Sequence, residues 1–257
     1  MSESSGIFYT DQGKGFPVIL IHGFCETHEV WSRFGKALSK DFRVLSIDLP
    51  GFGKSKALPE GFSVADAAKS VNQLLEKLGI ERCIPIGHSL GGYVTLAMVR
   101  QKPAAFAAFG LFHSTAYADS EERKAARNKV IDFVSANGVA PFIETFIPPL
   151  FYLKGHPDIP FAVRMALQTQ KQTLIGYAKA MRDRPDLTDV IQKFNNPIIF
   201  IAGDKDTVIP AETLQKQANL ASKPHLHIVL DAAHMGMFEK ESETVNLIHS
   251  FLVKATT

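Results

Sequence analysis

Along the first hundred residues, apolar positions switch repeatedly between short continuous runs and helical spacing. Residues 17–21, 43–47 and 82–86 are runs too short for helices, and their lack of polar alternation predicts strands buried on both faces. Between the first two, Val30, Trp31, Phe34, Ala37 and Leu38 fall on one helical face. Val64, Ala67, Val71, Leu74, Leu75 and Leu78 form a second stripe, with Ser63 and Asp66 placed to start that helix and Gly79 to stop it. Further strands are expected near residues 7–10 and at 106–112, 197–202 and 225–230, and a helix continues from Tyr93 through Met98. Val245, Ile248, Phe251 and Leu252 give the apolar side of a C-terminal helix. Repeated strand–helix units imply an α/β fold, with a mostly parallel central sheet and helices on both faces. Pro85 removes a ladder donor from the run 82–86, so a local irregularity is expected there.

Between residues 114 and 184 the strand pattern disappears and helices are predicted over 121–136, 140–147, 161–170 and 173–182. A helical insertion at that point of the chain would hang over the C-terminal edge of the sheet. The expected organisation is therefore a core of residues 1–113 and 185–257 with a helical cap of residues 114–184. The cap is rich in aromatic residues, among them Phe133, Phe142, Phe146, Phe151 and Tyr177. Most should hold the cap together, since a stripe at helical spacing is more often core than pocket; Phe142, Phe146 and Tyr177 are the candidates for the wall of an apolar site.

Composition narrows the function classes. Hydrophobic residues make up 46% of 257, enough for one sizeable core, and a net charge of +2 offers no basic field for nucleic acid. Cys25 and Cys83 make neither a metal spacing nor a disulfide framework, which fits reduced thiols in a cytoplasmic protein. The first five residues lack the features of a secretory leader, and no apolar stretch is long enough for a membrane span. A soluble, unsecreted protein is expected, with no nucleic-acid or membrane partner; the charge names no partner and the sequence sets no oligomeric state.

The chemistry concentrates at strand ends. Gly87-His88-Ser89-Leu90-Gly91-Gly92 follows one predicted strand and precedes a helix, the arrangement of a nucleophile elbow. Small neighbours are needed because the strained turn presses against adjacent backbone, and the Leu90 N–H then faces whatever Ser89 attacks. A serine hydroxyl needs a base, and the base needs an acid to fix its tautomer. Asp204 and Asp206 lie in the loop after strand 197–202, and His234 in the loop after strand 225–230.

With the elbow, these features resemble the α/β-hydrolase family of the esterase, haloperoxidase and carbon–carbon hydrolase type. The matching motifs are His22-Gly23-Phe24, Asp48-Leu49-Pro50-Gly51-Phe52-Gly53, the elbow, Gly203-x-x-Asp206 and the His234 loop. The resemblance implies the α/β-hydrolase fold with a helical cap, a catalytic set Ser89, Asp206 and His234, and an oxyanion hole from the Phe24 and Leu90 N–H groups. It selects Asp206 over Asp204. It also implies hydrolysis of a small to medium, largely apolar carboxylic ester or thioester through an acyl-enzyme, with no cofactor and no metal. Carbon–carbon bond hydrolysis, perhydrolysis, or a ligand receptor retaining the triad are the alternatives. His113, at the entrance to the cap, is a further candidate for the pocket, with plain loop packing as its equal alternative.

Other features read plainly. Gly51-Phe52-Gly53-Lys54-Ser55 ends like a phosphate loop but has Asp48 where the motif needs glycine, so a tight turn is expected. His22 and His88 should shape loops rather than carry protons. Cys25 should be a small buried hydrophobe, and His225 with His227 a solvated strand end rather than a metal pair.

Overall fold

The computed structural model describes residues 6–257, so the expectations for residues 1–5 lie outside the described residues. Seven strands form one sheet: β1 (Tyr9–Gln12), β2 (Pro17–Ile21), β3 (Arg43–Ile47), β4 (Ile84–His88), β5 (Phe109–Phe112), β6 (Ile198–Gly203) and β7 (Pro224–Val229). Their spatial order is β1-β3-β2-β4-β5-β6-β7, with β1 antiparallel to β3 and every other pair parallel. From β2 the chain steps outward to β3 and then returns to the opposite side of β2 as β4. The loops after β2 and β4 thus part to either side of a crevice at the strands' carboxyl ends, the place where open α/β sheets bind ligands.

Helices α1 (Ser32–Leu38), α2 (Val64–Lys77) and α3 (Leu90–Gln101) connect the first strands, and α8 (Thr188–Lys193), α9 (Ala211–Ala218), α10 (Gly236–Glu239) and α11 (Glu241–Thr256) accompany the last. Between β5 and β6 come α4 (Glu121–Asn137), α5 (Val139–Phe146), α6 (Ile159–Ala166) and α7 (Lys171–Arg182), with α4 packed on α5 and α7. The capping box that starts α2 is complete: Ser63 Oγ accepts from the Asp66 N–H and Asp66 Oδ2 from the Ser63 N–H. The core is aromatic at its centre, where Trp31, Phe34 and Phe112 meet edge to face with ring centroids 5.3 to 6.2 Å apart. Among the described residues no helix is long and apolar enough to cross a membrane.

Several boundaries differ from expectation for local reasons. β1 starts at Tyr9 rather than residue 7, because the Phe8 N–H is taken by Ser55 Oγ and ladder pairing begins at Tyr9↔Ile47. α6 ends at Ala166, four residues short of the predicted end; short helices α8, α9 and α10 were not predicted. The irregularity at Pro85 exists and has a cause. Cys83 bridges Phe106 but Ile86 pairs with Gly110, so β5 carries one more residue than β4 across that interval, a bulge. Pro85, which has no N–H to give, sits opposite the bulge while keeping its register with Ile19 of β2.

Candidate active site

Ser89 stands between β4 and α3 with φ +47° and ψ −111°, a conformation that costs a non-glycine residue on the order of 1–3 kcal/mol and persists only where its surroundings impose it. They do: its N–H donates to the Phe112 carbonyl at 2.9 Å, and its own carbonyl accepts from Ser114 Oγ at 2.7 Å. Gly87 and Gly91 permit the turn, since a Cβ on the first would lie 2.2 Å from the Gly91 carbonyl oxygen and one on the second 2.3 Å from that of Ile21. Ser89 is half-buried, and Leu90 begins α3, where N–H groups have no intrahelical acceptor and face the turn.

The loop after β2 is fixed by His22. Its Nδ1–H donates to the Gly23 carbonyl at 2.7 Å while Nε2 accepts the Leu49 N–H at 2.9 Å, which settles the neutral tautomer; burial lowers its pKa and favours the same form. A trans peptide aims its N–H opposite to its C=O, so holding the Gly23 oxygen turns the Phe24 N–H the other way. Cys25 follows with φ +60°, and its thiol is buried and pushed up in pKa by that burial, the state of a packed hydrophobe. Asp48 ties down the neighbouring loop, accepting from the backbone N–H groups of His28 and Lys54 at 2.7 and 2.9 Å. The stretch 51–55 is accordingly the tight turn expected.

Asp206 and His234 come together at the carboxyl end of the sheet, where the His234 carbonyl lies 2.9 Å from Nε2 of His88, the residue before Ser89. Asp206 Oδ2 lies 2.8 Å from His234 Nδ1, and Oδ1 accepts the Val208 and Ile209 N–H groups at 2.8 and 2.9 Å. Burial works against its charge, but the interaction with His234 and the hydrogen bonds from His113 and His234 outweigh it and hold the carboxyl well below the usual range. Asp204 instead pairs with Lys205 Nζ at 2.8 Å and caps the Ala232 N–H, so of the two acids only Asp206 reaches the histidine. The His234 N–H donates to the Leu150 carbonyl at 2.9 Å, and Glu239 accepts from the Ala233 and Tyr152 N–H groups, fastening the loop to residues between α5 and α6.

For His113, expected either to line the pocket or to pack in its loop, burial favours packing. The residue is fully buried behind Asp206 rather than on a pocket wall, with φ +49° and Nδ1 3.1 Å from the same Oδ2 that His234 uses. Burial pushes its pKa down to about 4 against the pull of Asp206, so the ring is neutral, and Nε2 has no hydrogen-bond partner among the described residues. The donor atoms of His113, Asp206 and His234 lie within 4.8 Å of one another, but both Nδ1 atoms face one carboxylate oxygen at hydrogen-bond distance, which accounts for the cluster without an ion.

The aromatic candidates divide by depth. Phe146 is half-buried and edge-on to Phe24 at 6.0 Å, with Phe142 stacked behind it at 4.9 Å. Tyr177 is fully buried against Phe52 and Phe62, at 4.8 and 4.7 Å, and Phe52 rather than Tyr177 approaches Phe24. A cleft of about 870 Å³ lies elsewhere, between Pro50, Phe62 and Thr173, and none of Ser89, Asp206 and His234 lines it. Its size reflects a groove beside α2 and α7, and the strand-end chemistry is the better guide to the site. Sequence reasoning missed Glu26, which is 2% exposed and 3.0 Å from His88 Nδ1. An acid three residues beyond Gly23, directly after Phe24-Cys25 in a motif loop at a strand end, was the available signal, because carboxylates are seldom buried unpaired.

Residues 17–159 match the family model of the alpha/beta hydrolase fold. The chain is 27% identical over 259 residues to a pimeloyl-[acyl-carrier protein] methyl ester esterase of Methylococcus capsulatus, covering 97% of this chain and 100% of that protein. It is 26% identical to a bifunctional esterase/perhydrolase of Acinetobacter calcoaceticus, with 93% of each chain covered. Among solved structures, a thermophilic esterase from Thermogutta terrifontis superposes with a TM-score of 0.93 at 29% identity, covering 98% of this chain and 94% of that one.

Proposed function

The chain belongs to the alpha/beta hydrolase fold family, and from that premise we propose that it is a serine esterase acting on small to medium, largely apolar carboxylic esters or thioesters. The observation that carries the reading is the Asp206–His234 contact of 2.8 Å at the carboxyl end of the sheet, with the His234 carbonyl bound to His88, the residue before a serine held at φ +47°. Asp206 fixes the tautomer with the proton on Nδ1, leaving Nε2 to take the Ser89 proton as Oγ attacks the carbonyl carbon. The Phe24 and Leu90 N–H groups would receive the oxyanion. As the intermediate collapses, His234 gives the proton to the departing alcohol or thiol; water then repeats the steps on the acyl-enzyme and restores Ser89. The chemistry needs no cofactor.

Phe24 and Phe146 at the oxyanion loop supply the apolar surface for an acyl or aryl group, with the buried Phe52 packed against Phe24. Residues 114–184 act in this reading as the cap, tied to the histidine loop through the Leu150 carbonyl. A fluorophosphonate probe should label Ser89, and short p-nitrophenyl esters should be hydrolysed, with Ser89→Ala losing both. Full esterase activity in folded Ser89→Ala sinks the mechanism. The likeness to an esterase/perhydrolase favours a second reaction of the same acyl-enzyme, with hydrogen peroxide replacing water to release a peracid. Peracid formation abolished by the same substitution would support it.

A further inference from the structure

The ester mechanism uses neither of two ionisable groups buried beside it. Glu26, in the loop after β2, and His88, the last residue of β4, are 2% and 1% exposed and meet at 3.0 Å. Glu26 Oε2 accepts both the His88 Nδ1–H and the Gly23 N–H, the latter at 2.6 Å. On its other side, His88 Nε2–H donates to the His234 carbonyl at 2.9 Å. A ring donating from both nitrogens is an imidazolium. Burial alone would strip its proton, but the Glu26 charge outweighs that and raises its pKa, while His88 in turn holds Glu26 below the usual carboxylate range against the opposing effect of burial. Trp31 and Phe112 present ring edges to His88 at 6.4 and 6.1 Å, so the pair sits in an apolar casing. Bare backbone at Gly23 admits it: a Cβ there would lie 2.7 Å from His88 Nδ1 and 2.9 Å from Glu26 Oε2.

We propose that Glu26 and His88 are positioning residues, a buried charged strut that joins the oxyanion loop, the residue preceding Ser89 and the His234 loop into one rigid unit. The proposal rests on the esterase reading above. Its physical content is angular. Glu26 holds the N–H of Gly23 and His22 holds its C=O, so the peptide planes on both sides of Gly23 are fixed and the Phe24 N–H has one direction. His88 carries that constraint across the crevice to the backbone of His234, so the donor and the base keep their spacing through the reaction.

Removing one partner leaves a buried charge and endangers folding, whereas replacing both removes the charge and the strut together. The decisive variant is therefore Glu26→Gln/His88→Phe, in which the new side-chain amide can still accept the Gly23 N–H but nothing reaches His234. Three quantities are measured against the parent: the melting temperature, kcat and KM for p-nitrophenyl acetate, and the affinity of phenylboronic acid, whose tetrahedral adduct on Ser89 places an oxygen where the oxyanion forms. Expected are a melting temperature close to the parent's, kcat lower by about tenfold or more with KM within about twofold, and boronate affinity weakened by a similar factor. Unchanged kcat and boronate affinity, or a rise in KM alone, overturns the strut. Glu26→Gln gives the second reading if the double variant does not fold. Without its counter-ion His88 loses a proton and can serve only one of its two acceptors, so the same kcat loss is expected at smaller size, and its absence overturns the proposal equally. Failure of the parent to be labelled at Ser89 by a fluorophosphonate removes the esterase reading itself, and the strut with it.

Discussion

The sharpest test of the site is Asp206→Asn set against Asp204→Asn. The Asp206 carboxylate accepts from the Val208 and Ile209 N–H groups on Oδ1 and from His234 and His113 on Oδ2. Asparagine has one acceptor oxygen, and two backbone donors occupy it, so its amide N–H₂ is turned towards His234. Donor then faces donor. The imidazole escapes by moving its proton to Nε2, and that nitrogen can no longer accept from Ser89. In the serine protease case the same change costs about 10⁴ in kcat, equivalent to about 5 kcal/mol of transition-state stabilisation. Asp204, with its carboxylate on Lys205 and the Ala232 N–H, should change kcat less than about threefold, since its contacts shape a turn and are partly exposed. Steady-state hydrolysis of p-nitrophenyl acetate by variants with matched circular dichroism decides the matter. A kcat for Asp206→Asn within tenfold of the parent's, or a larger loss for Asp204→Asn, refutes the assignment.

The same contacts give Asp206 a lowered pKa, so its contribution to stability is complete above the ordinary carboxylate value of about 3.9 and is lost as pH falls towards the lower folded value; acid denaturation of Asp206→Asn should lack that part of the slope, and a parallel profile contradicts it. Phe24→Pro removes the proposed oxyanion donor and should lower kcat by about 10² or more, while Phe24→Ala should act mainly on KM; equal mild effects in two folded variants count against the donor. His113→Gln should lower kcat by less than about tenfold, because Asp206 keeps three other donors; a loss as large as that of Asp206→Asn makes His113 part of the machinery. Ser63→Ala breaks the capping box of α2 and should cost about 1 kcal/mol in urea denaturation with kcat unchanged.

Much of the fold was legible because its strands are short, apolar and separated by amphipathic helices. The strongest motif residues sit where such runs end, so Ser89, His234 and the pair Asp204 and Asp206 could be named as candidates without knowing which strands are neighbours, and the family resemblance chose Asp206 from the pair. What escaped depends on details that periodicity does not carry. The short helices α8, α9 and α10 span at most eight residues and too few turns to show a stripe. Tyr177 and His113 have the composition of pocket residues but lie one layer deeper, behind Phe52 and behind Asp206. The position of the Pro85 bulge follows from pairing with β5, which is visible only once the two strands are side by side.

The Glu26–His88 contact escaped for a reason that also explains its place in the fold. The two residues are 62 positions apart and become neighbours only because β3 pairs on one side of β2 and β4 on the other. That reversal opens the crevice in which the chemistry sits. It also leaves the loops on its two sides without a shared backbone ladder beyond the last pair, Ile21↔Gly87. Side chains must then bridge the gap. In a casing of Trp31 and Phe112, a carboxylate and an imidazolium satisfy each other and reach two backbone groups at once, Gly23 N–H and His234 C=O. An apolar pair of equal volume would fill the same space and direct neither peptide, so the charged pair is the arrangement that serves geometry rather than stability.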